Sequence, residues 1–387
     1  MTDHVERVGG LERGAPPVGM AVAWARRHAW IAVWWAGSRA FVLALALLVH
    51  ATGRPAGYLR SELAAHPLGL LDSWDGRWYG MVAAHGYLLV NGRQSDPAFF
   101  PLFPLLLRAG HTFGIGYSTA GVLIANLALL GALAAFYALT KEVLGESLAR
   151  RATIYVAIFP LGYVFSMAYP ESVVLMLVAL AGLAALRGRW LLAAVCAGGA
   201  ALARPEGIFV ALPLLAIAWQ TRRDSTPLRR GLALGAVLAP AAALASYPFY
   251  LNRVLDDPLA WTQAEHAWGR HFTPLGFVPA FTTLPSQIAQ NAWVIRDVAF
   301  LFVYLALLVA ARRAGTPWPW IAAALAIVVL PVFSGSFTSI GRFGLLAPPF
   351  FWGLATLGRN RRADLAIRAV SIALLAAATV TVPYVFP

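Results

Sequence analysis

The run "GYSTAGVLIANLALLGALAAFYAL", residues 116–139, carries no charged side chain over 24 positions. As a helix rising 1.5 Å per residue it spans about 36 Å, enough to cross the roughly 30 Å hydrocarbon core of a bilayer. Comparable apolar runs lie at about 28–50, 152–169, 171–187, 190–204, 206–220, 231–251, 293–311, 317–333, 343–358 and 366–385. The reading is an all-α polytopic membrane protein of about 11 spans. Composition agrees: the 387 residues are 60% hydrophobic and 12% charged, with a mean hydropathy of +0.68. A soluble domain of that make-up would expose large apolar patches. Pro160, Pro170 and Pro205 interrupt the middle of the series, so helices broken near the membrane edge are expected there.

The net charge of +13 resides largely in arginine clusters between the runs, such as "KEVLGESLARR", "TRRDSTPLRR" and "GRNRRADLAIR". Basic clusters in short loops mark the cytoplasmic side of a membrane protein and make nucleic acid the weaker partner. Residues 1–27 then read as a cytoplasmic tail and 28–387 as a single membrane domain. The two long polar connections, 51–97 and 252–292, fall on the outer face. The sparse lysine and abundant Ala and Arg fit a GC-rich bacterial genome, and so a bacterial plasma membrane. The single cysteine, Cys196, rules out an intramolecular disulfide and a cysteine metal site. There is no P-loop, no dinucleotide fingerprint and no repeat, so no cofactor is called for and a divalent cation is not indicated.

Chemistry is expected in the outer loops. In "LLDSWDGRWYGMVAAHGY", residues 70–87, Asp72 and Asp75 stand among Trp74, Trp78 and Tyr79. A carboxylate partly withdrawn from water is a stronger base, and aromatic faces can stack on sugars. The plainer alternative is an interfacial aromatic belt, with Asp75 paired to Arg77 or capping a short helix. The next stretch, "DPAFFPLFPLLLR", has two prolines three apart and cannot form an ordinary spanning helix. It reads as a re-entrant or interfacial segment beside the Asp75 loop.

Four motifs run in order here: Trp74-Asp75-Gly76, His85-Gly86-Tyr87, Phe99-Phe100-Pro101 and Pro170-Glu171-Ser172. Together they resemble the PIG-V family of polyprenyl-phosphate-mannose-dependent mannosyltransferases. The resemblance covers less than a third of the chain, from Trp74 to Ser172. It implies a GT-C membrane fold, a polyprenyl-phosphate sugar as donor and Asp75 as the catalytic acid of the first outer loop. It carries over His85, Tyr87 and Glu171 as further site positions. Eukaryotic members extend a glycosylphosphatidylinositol anchor, so a bacterial chain implies a different lipid-linked or glycan acceptor.

Around that core, Asp72, Arg77 and Tyr79 are candidate substrate contacts. Arg204 and Arg342, isolated on the outer side near apolar helices, are placed to hold a lipid-linked phosphate or to snorkel to headgroups. Arg39, inside the first span, needs either a structural partner or a lipid phosphate. Glu265, His266, Trp268, Arg270 and His271 read as an acceptor-binding loop. The two histidines are five apart, not the four that set two ligands on one helical face. Asp256-Asp257 before Pro258 reads as a turn. The expected chemistry is inverting transfer of mannose on the outer face. A transporter or lipid flippase, or a GT-C transferase for another sugar or a protein acceptor, is the alternative.

Overall fold

The computed structural model describes residues 18–52 and 66–384. It is all-helical, with no strand among the described residues. The order is α1 (Val18–Ala51), α2 (Asp75–His85), α3 (Leu102–Thr112), α4 (Tyr117–Leu144), α5 (Glu146–Ala157) and α6 (Glu171–Leu186). There follow α7 (Trp190–Ala203), α8 (Ala211–Thr221), α9 (Pro227–Leu255), α10 (Ala260–Ala267), α11 (Phe277–Thr282) and α12 (Leu284–Gln290). The chain ends with α13 (Val294–Arg313), α14 (Trp318–Val329), α15 (Ile340–Phe343), α16 (Pro348–Leu357) and α17 (Arg361–Thr381).

Every apolar run contains a helix, but only five helices among the described residues are long and apolar enough to cross a membrane: Arg27–Ala51 of α1, and α4, α9, α13 and α17. Their outward side chains, including Leu48, Leu127, Leu234 and Phe302, are exposed, as lipid-facing residues of an integral membrane protein must be.

Three stretches add detail to the sequence reading. Helix α1 begins at Val18 and its candidate membrane span at Arg27; residues 1–17 lie outside the described part, as do 53–65 of the first long loop. The 152–169 run is split: α5 stops at Ala157 and the chain resumes as a 3-10 turn over Gly162–Ser166, since Pro160 lacks the amide that would continue the ladder. The 343–358 run is broken at Ala347: Phe343 ends α15, a 3-10 turn covers Gly344–Leu346, and α-helix restarts at Pro348, where two prolines fit a first turn whose N–H groups need no partner.

The core forms where the broken helices meet. Helix α4 packs on α6, α6 on α7, α7 on α9, and α13 on α16. A side chain at Gly353 would run into the Leu307 backbone, so glycine lets α16 lie against α13. Arg39 closes the break after α5. Its Nη1 donates to Gly162 O and Ser166 Oγ, both at 2.8 Å, and its Nη2 to Ala157 O at 2.9 Å. The buried arginine of the first span therefore ties the end of α5, where carbonyls run out of helical donors, to the 3-10 turn that follows, and its guanidinium is taken up by these structural bonds.

Candidate functional site

Helix α2 presents the first motif. Asp75 is its first residue and Trp74 precedes it at φ 59°, a left-handed conformation that is costly for a bulky side chain. The indole Nε1 of Trp74 donates to Val382 O at 3.0 Å, and the Asp75 N–H donates to Tyr169 Oη at 3.0 Å. These contacts hold the turn that aims the Asp75 carboxylate inward, where it is 6% exposed.

The carboxylate meets Arg342 of α15, whose Nη1 donates to Asp75 Oδ2 at 2.6 Å. Arg77 is thus not its partner. Arg342 Nε lies 3.3 Å from Glu171 Oε1, and Arg204 Nη1 donates to the same oxygen at 2.7 Å. Arg204 turns its Nε and Nη2 to Glu206 at 3.1 and 3.2 Å. Three carboxylates and two guanidiniums therefore form one buried network, floored by Tyr79 and by the Tyr169 ring beneath Arg342. Glu171 is wholly buried, and its Oε2 has no hydrogen-bond partner among the described residues. Burial alone would lower the Arg342 guanidinium, but Asp75 and Glu171 outweigh it and hold it above the ordinary arginine range.

A cavity of about 650 Å³ opens in front of Asp75. Trp74, Trp78 and Trp268 supply aromatic wall, Arg77 and Arg270 supply positive charge, and Ser336 and Thr338 supply hydroxyls. Trp78 stacks on Phe99 at 5.6 Å and meets Trp268 edge-on at 5.3 Å, so the "AFFP" motif buttresses the wall. Arg270 binds Glu265 at 3.2 Å and also faces the smaller hollow containing Asp75, Arg204 and Arg342.

Other sequence candidates lie elsewhere. Asp72 accepts a short hydrogen bond from Ser118 Oγ of α4, which fixes the loop below Asp75. His85 is exposed at the far end of α2, ten residues and so about 15 Å along the helix from Asp75. Tyr87 donates to Phe99 O at 2.8 Å and lines a separate groove with Arg108, Tyr247 and Tyr250. Asp96 accepts from the Leu88 N–H at 2.7 Å; burial raises its carboxyl, against the pull of that bond. Asp257 accepts from the Leu259 N–H and Gln263 Nε2, the turn its setting predicted. The His266 and His271 rings come within 4.7 Å of each other, and no group of three or more possible metal-binding residues occurs among the described residues.

No family model matches the chain. No curated protein matches it either, so the PIG-V resemblance rests on its four motifs. Among solved structures the chain is similar to ArnT from Cupriavidus metallidurans bound to undecaprenyl phosphate: 16% identity over 90% of this chain and 64% of that one, TM-score 0.49. It is similar to an oligosaccharyltransferase from Archaeoglobus fulgidus complexed with zinc and sulfate, at 15% identity over 87% and 53% of the two chains, TM-score 0.42. AglB from the same organism, complexed with an inhibitory peptide and a dolichol-phosphate, gives 14% over 93% and 56%, TM-score 0.42. The chain spans about half to two thirds of the length of these structures, and at these scores none of them assigns it a substrate or a catalytic residue.

Two acids of the region escaped the sequence reading. Glu206 stands two residues after Arg204 in "ARPEGIF", where an isolated arginine was noted without its neighbour. Asp297 lies 3% exposed in the first turn of α13. A lone carboxylate in an apolar run was the available signal.

Proposed function

We propose that the chain is a GT-C-type membrane glycosyltransferase. In this reading it moves a sugar, mannose by the PIG-V resemblance, from a polyprenyl-phosphate donor to a lipid-linked or glycan acceptor on the outer face. The observation that supports it is the Asp75 carboxylate at the wall of a cavity lined with indoles and arginines. Indole faces suit the apolar faces of sugar rings, and guanidiniums suit phosphate.

Among the described residues, nothing bonds Asp75 Oδ1, while Oδ2 is held by Arg342. An acceptor hydroxyl reaching Oδ1 gives up its proton there as its oxygen attacks the anomeric carbon. The new carbon–oxygen bond forms as the bond to the donor phosphate breaks from the opposite side, so the configuration inverts. The phosphate departs with the electron pair and needs no proton from a separate acid. Arg270 and Arg77 line the cavity and in this reading offer positive charge to the departing phosphate. Arg204 has its Nε, Nη1 and Nη2 on Glu171 and Glu206 and acts behind the wall, as positive charge that lets the carboxylates stay buried.

The test is transfer of radiolabelled mannose from polyprenyl-phosphate-mannose to membrane lipid and protein fractions by purified parent and Asp75→Asn. Loss of a general base is expected to cut transfer by about 10²–10⁴-fold when matched, folded preparations are compared. Label unaffected by the substitution removes Asp75 as base. A parent inactive with this donor and with other polyprenyl-phosphate sugars returns weight to a transporter or flippase.

A further inference from the structure

We infer that Asp297 is a positioning residue for the Asp75–Arg342 pair; this rests on the transferase reading for its consequence, but not for its geometry. Arg342 sits on α15, only four residues long, too short to hold a side chain still by its own hydrogen bonds. What fixes that turn comes from α13. Asp297 Oδ1 accepts the Gly341 N–H at 3.0 Å and Oδ2 the Ser339 N–H at 3.2 Å, so one carboxylate clasps both amides flanking Ile340.

Three further observations show that the clasp determines the backbone. Ser339 adopts φ 70°, a left-handed conformation that a non-glycine residue keeps only when its surroundings impose it. Gly341 leaves no room for a side chain: a Cβ there would lie 3.1 Å from Asp297 Oδ1 and 2.6 Å from Leu161. On its other side, Tyr304 Oη of α13 donates to Gly341 O at 2.6 Å. Helix α13 thus grips residues 339–341 through both amide and carbonyl, and Arg342 follows with its guanidinium set against Asp75 and Glu171. Asp297 touches neither cavity nor reacting atoms. Its role is to keep Arg342, and through it Asp75, within the small tolerance that transfer demands.

Asp297→Asn preserves shape but replaces one acceptor by an NH₂ group that faces a backbone N–H. Hydrogen exchange in detergent is expected to speed at the Ser339 and Gly341 amides while the centre of α13 stays protected. In the transfer assay kcat is expected to fall about tenfold or more, with KM for donor and acceptor within about twofold, because a misplaced base costs rate more than binding. Adding Ser339→Gly, which adopts the left-handed turn unaided, is expected to restore most of kcat. A variant that merely loosens the fold would lower active fraction without this split or this rescue. Independent of any activity, the melting-temperature losses of Asp297→Asn and Arg342→Met are expected to be less than additive. Unchanged exchange at 339 and 341, additive melting losses, or an unaltered kcat in an active enzyme each overturns the inference. If the parent transfers no sugar, the transferase reading fails alone, and exchange and additivity still decide the clasp.

Discussion

Replacing Arg342 by methionine tests whether the network is held together by its charges. The substitution keeps most of the side-chain length but removes the contacts to Asp75 Oδ2 at 2.6 Å and Glu171 Oε1 at 3.3 Å. The guanidinium is 2% exposed and Glu171 wholly buried, so water cannot take its place. Removing one partner of a buried pair typically costs about 3–5 kcal/mol, because the remaining charge stays desolvated. For a chain of this size that corresponds to roughly 3–10 °C in melting temperature, extrapolating the trend that the shift per kcal/mol shrinks with length. Tryptophan fluorescence during heating in a mild detergent provides the readout, the chain having 14 tryptophans. Asp75→Asn placed on top of Arg342→Met is expected to recover part of the loss, since it removes the charge left without its cation, while Glu171 keeps Arg204 at 2.7 Å. A melting temperature within about 1 °C of the parent for Arg342→Met, or strict additivity with Asp75→Asn, refutes the reasoning.

Two other outcomes follow from single contacts. Arg39→Met leaves the Ala157 carbonyl at the end of α5 without its buried donor and takes a second donor from Gly162 O; at about 1–3 kcal/mol for an orphaned buried group, the same melt is expected to show a loss of about 1–3 kcal/mol, with KM of the folded fraction unaltered. Trp268→Ala removes an indole from the cavity wall. Acceptor KM measured by initial rates is expected to rise about five- to tenfold, the equivalent of about 1–1.5 kcal/mol of aromatic contact, with a much smaller effect on thermal stability.

The parts of this molecule legible in its sequence are those governed by local rules. A charge-free run longer than 20 residues has to span or be buried, and Pro160 has to interrupt a helix. Asp257 before Pro258 turns as the dipeptide dictates. Asp75 was legible as a candidate because a carboxylate among indoles is uncommon in an apolar chain. Its partner was not: Arg342 is 267 positions away, and no periodicity links them. Arg39 likewise finds carbonyls 118 and 123 residues on, so its charge marked a need but not how the need is met. His85 shows the opposite difficulty. It lies close to Asp75 in sequence, yet helical rise carries it to the other end of α2, beside the groove that Tyr87 lines. Asp297 is not legible in its contacts, because the amides it accepts from lie 42 and 44 residues ahead of it, a pairing that only the folded backbone reveals.

The separation between Asp75 and Arg342 also has a meaning in time. A ribosome adding about 5–20 residues per second takes roughly 15–50 s to travel the 267 residues between them, and the Val382 carbonyl that anchors Trp74 comes later still, 308 residues after it. Through that interval the first loop is already outside on the proposed topology, its acid lacking both the cation and the anchor that complete its surroundings. On the transferase reading, a chain stalled before α15 would carry Asp75 without Arg342 and Trp74 without its Val382 anchor, so the arrangement that the reaction requires would be complete only when the last helix is in place.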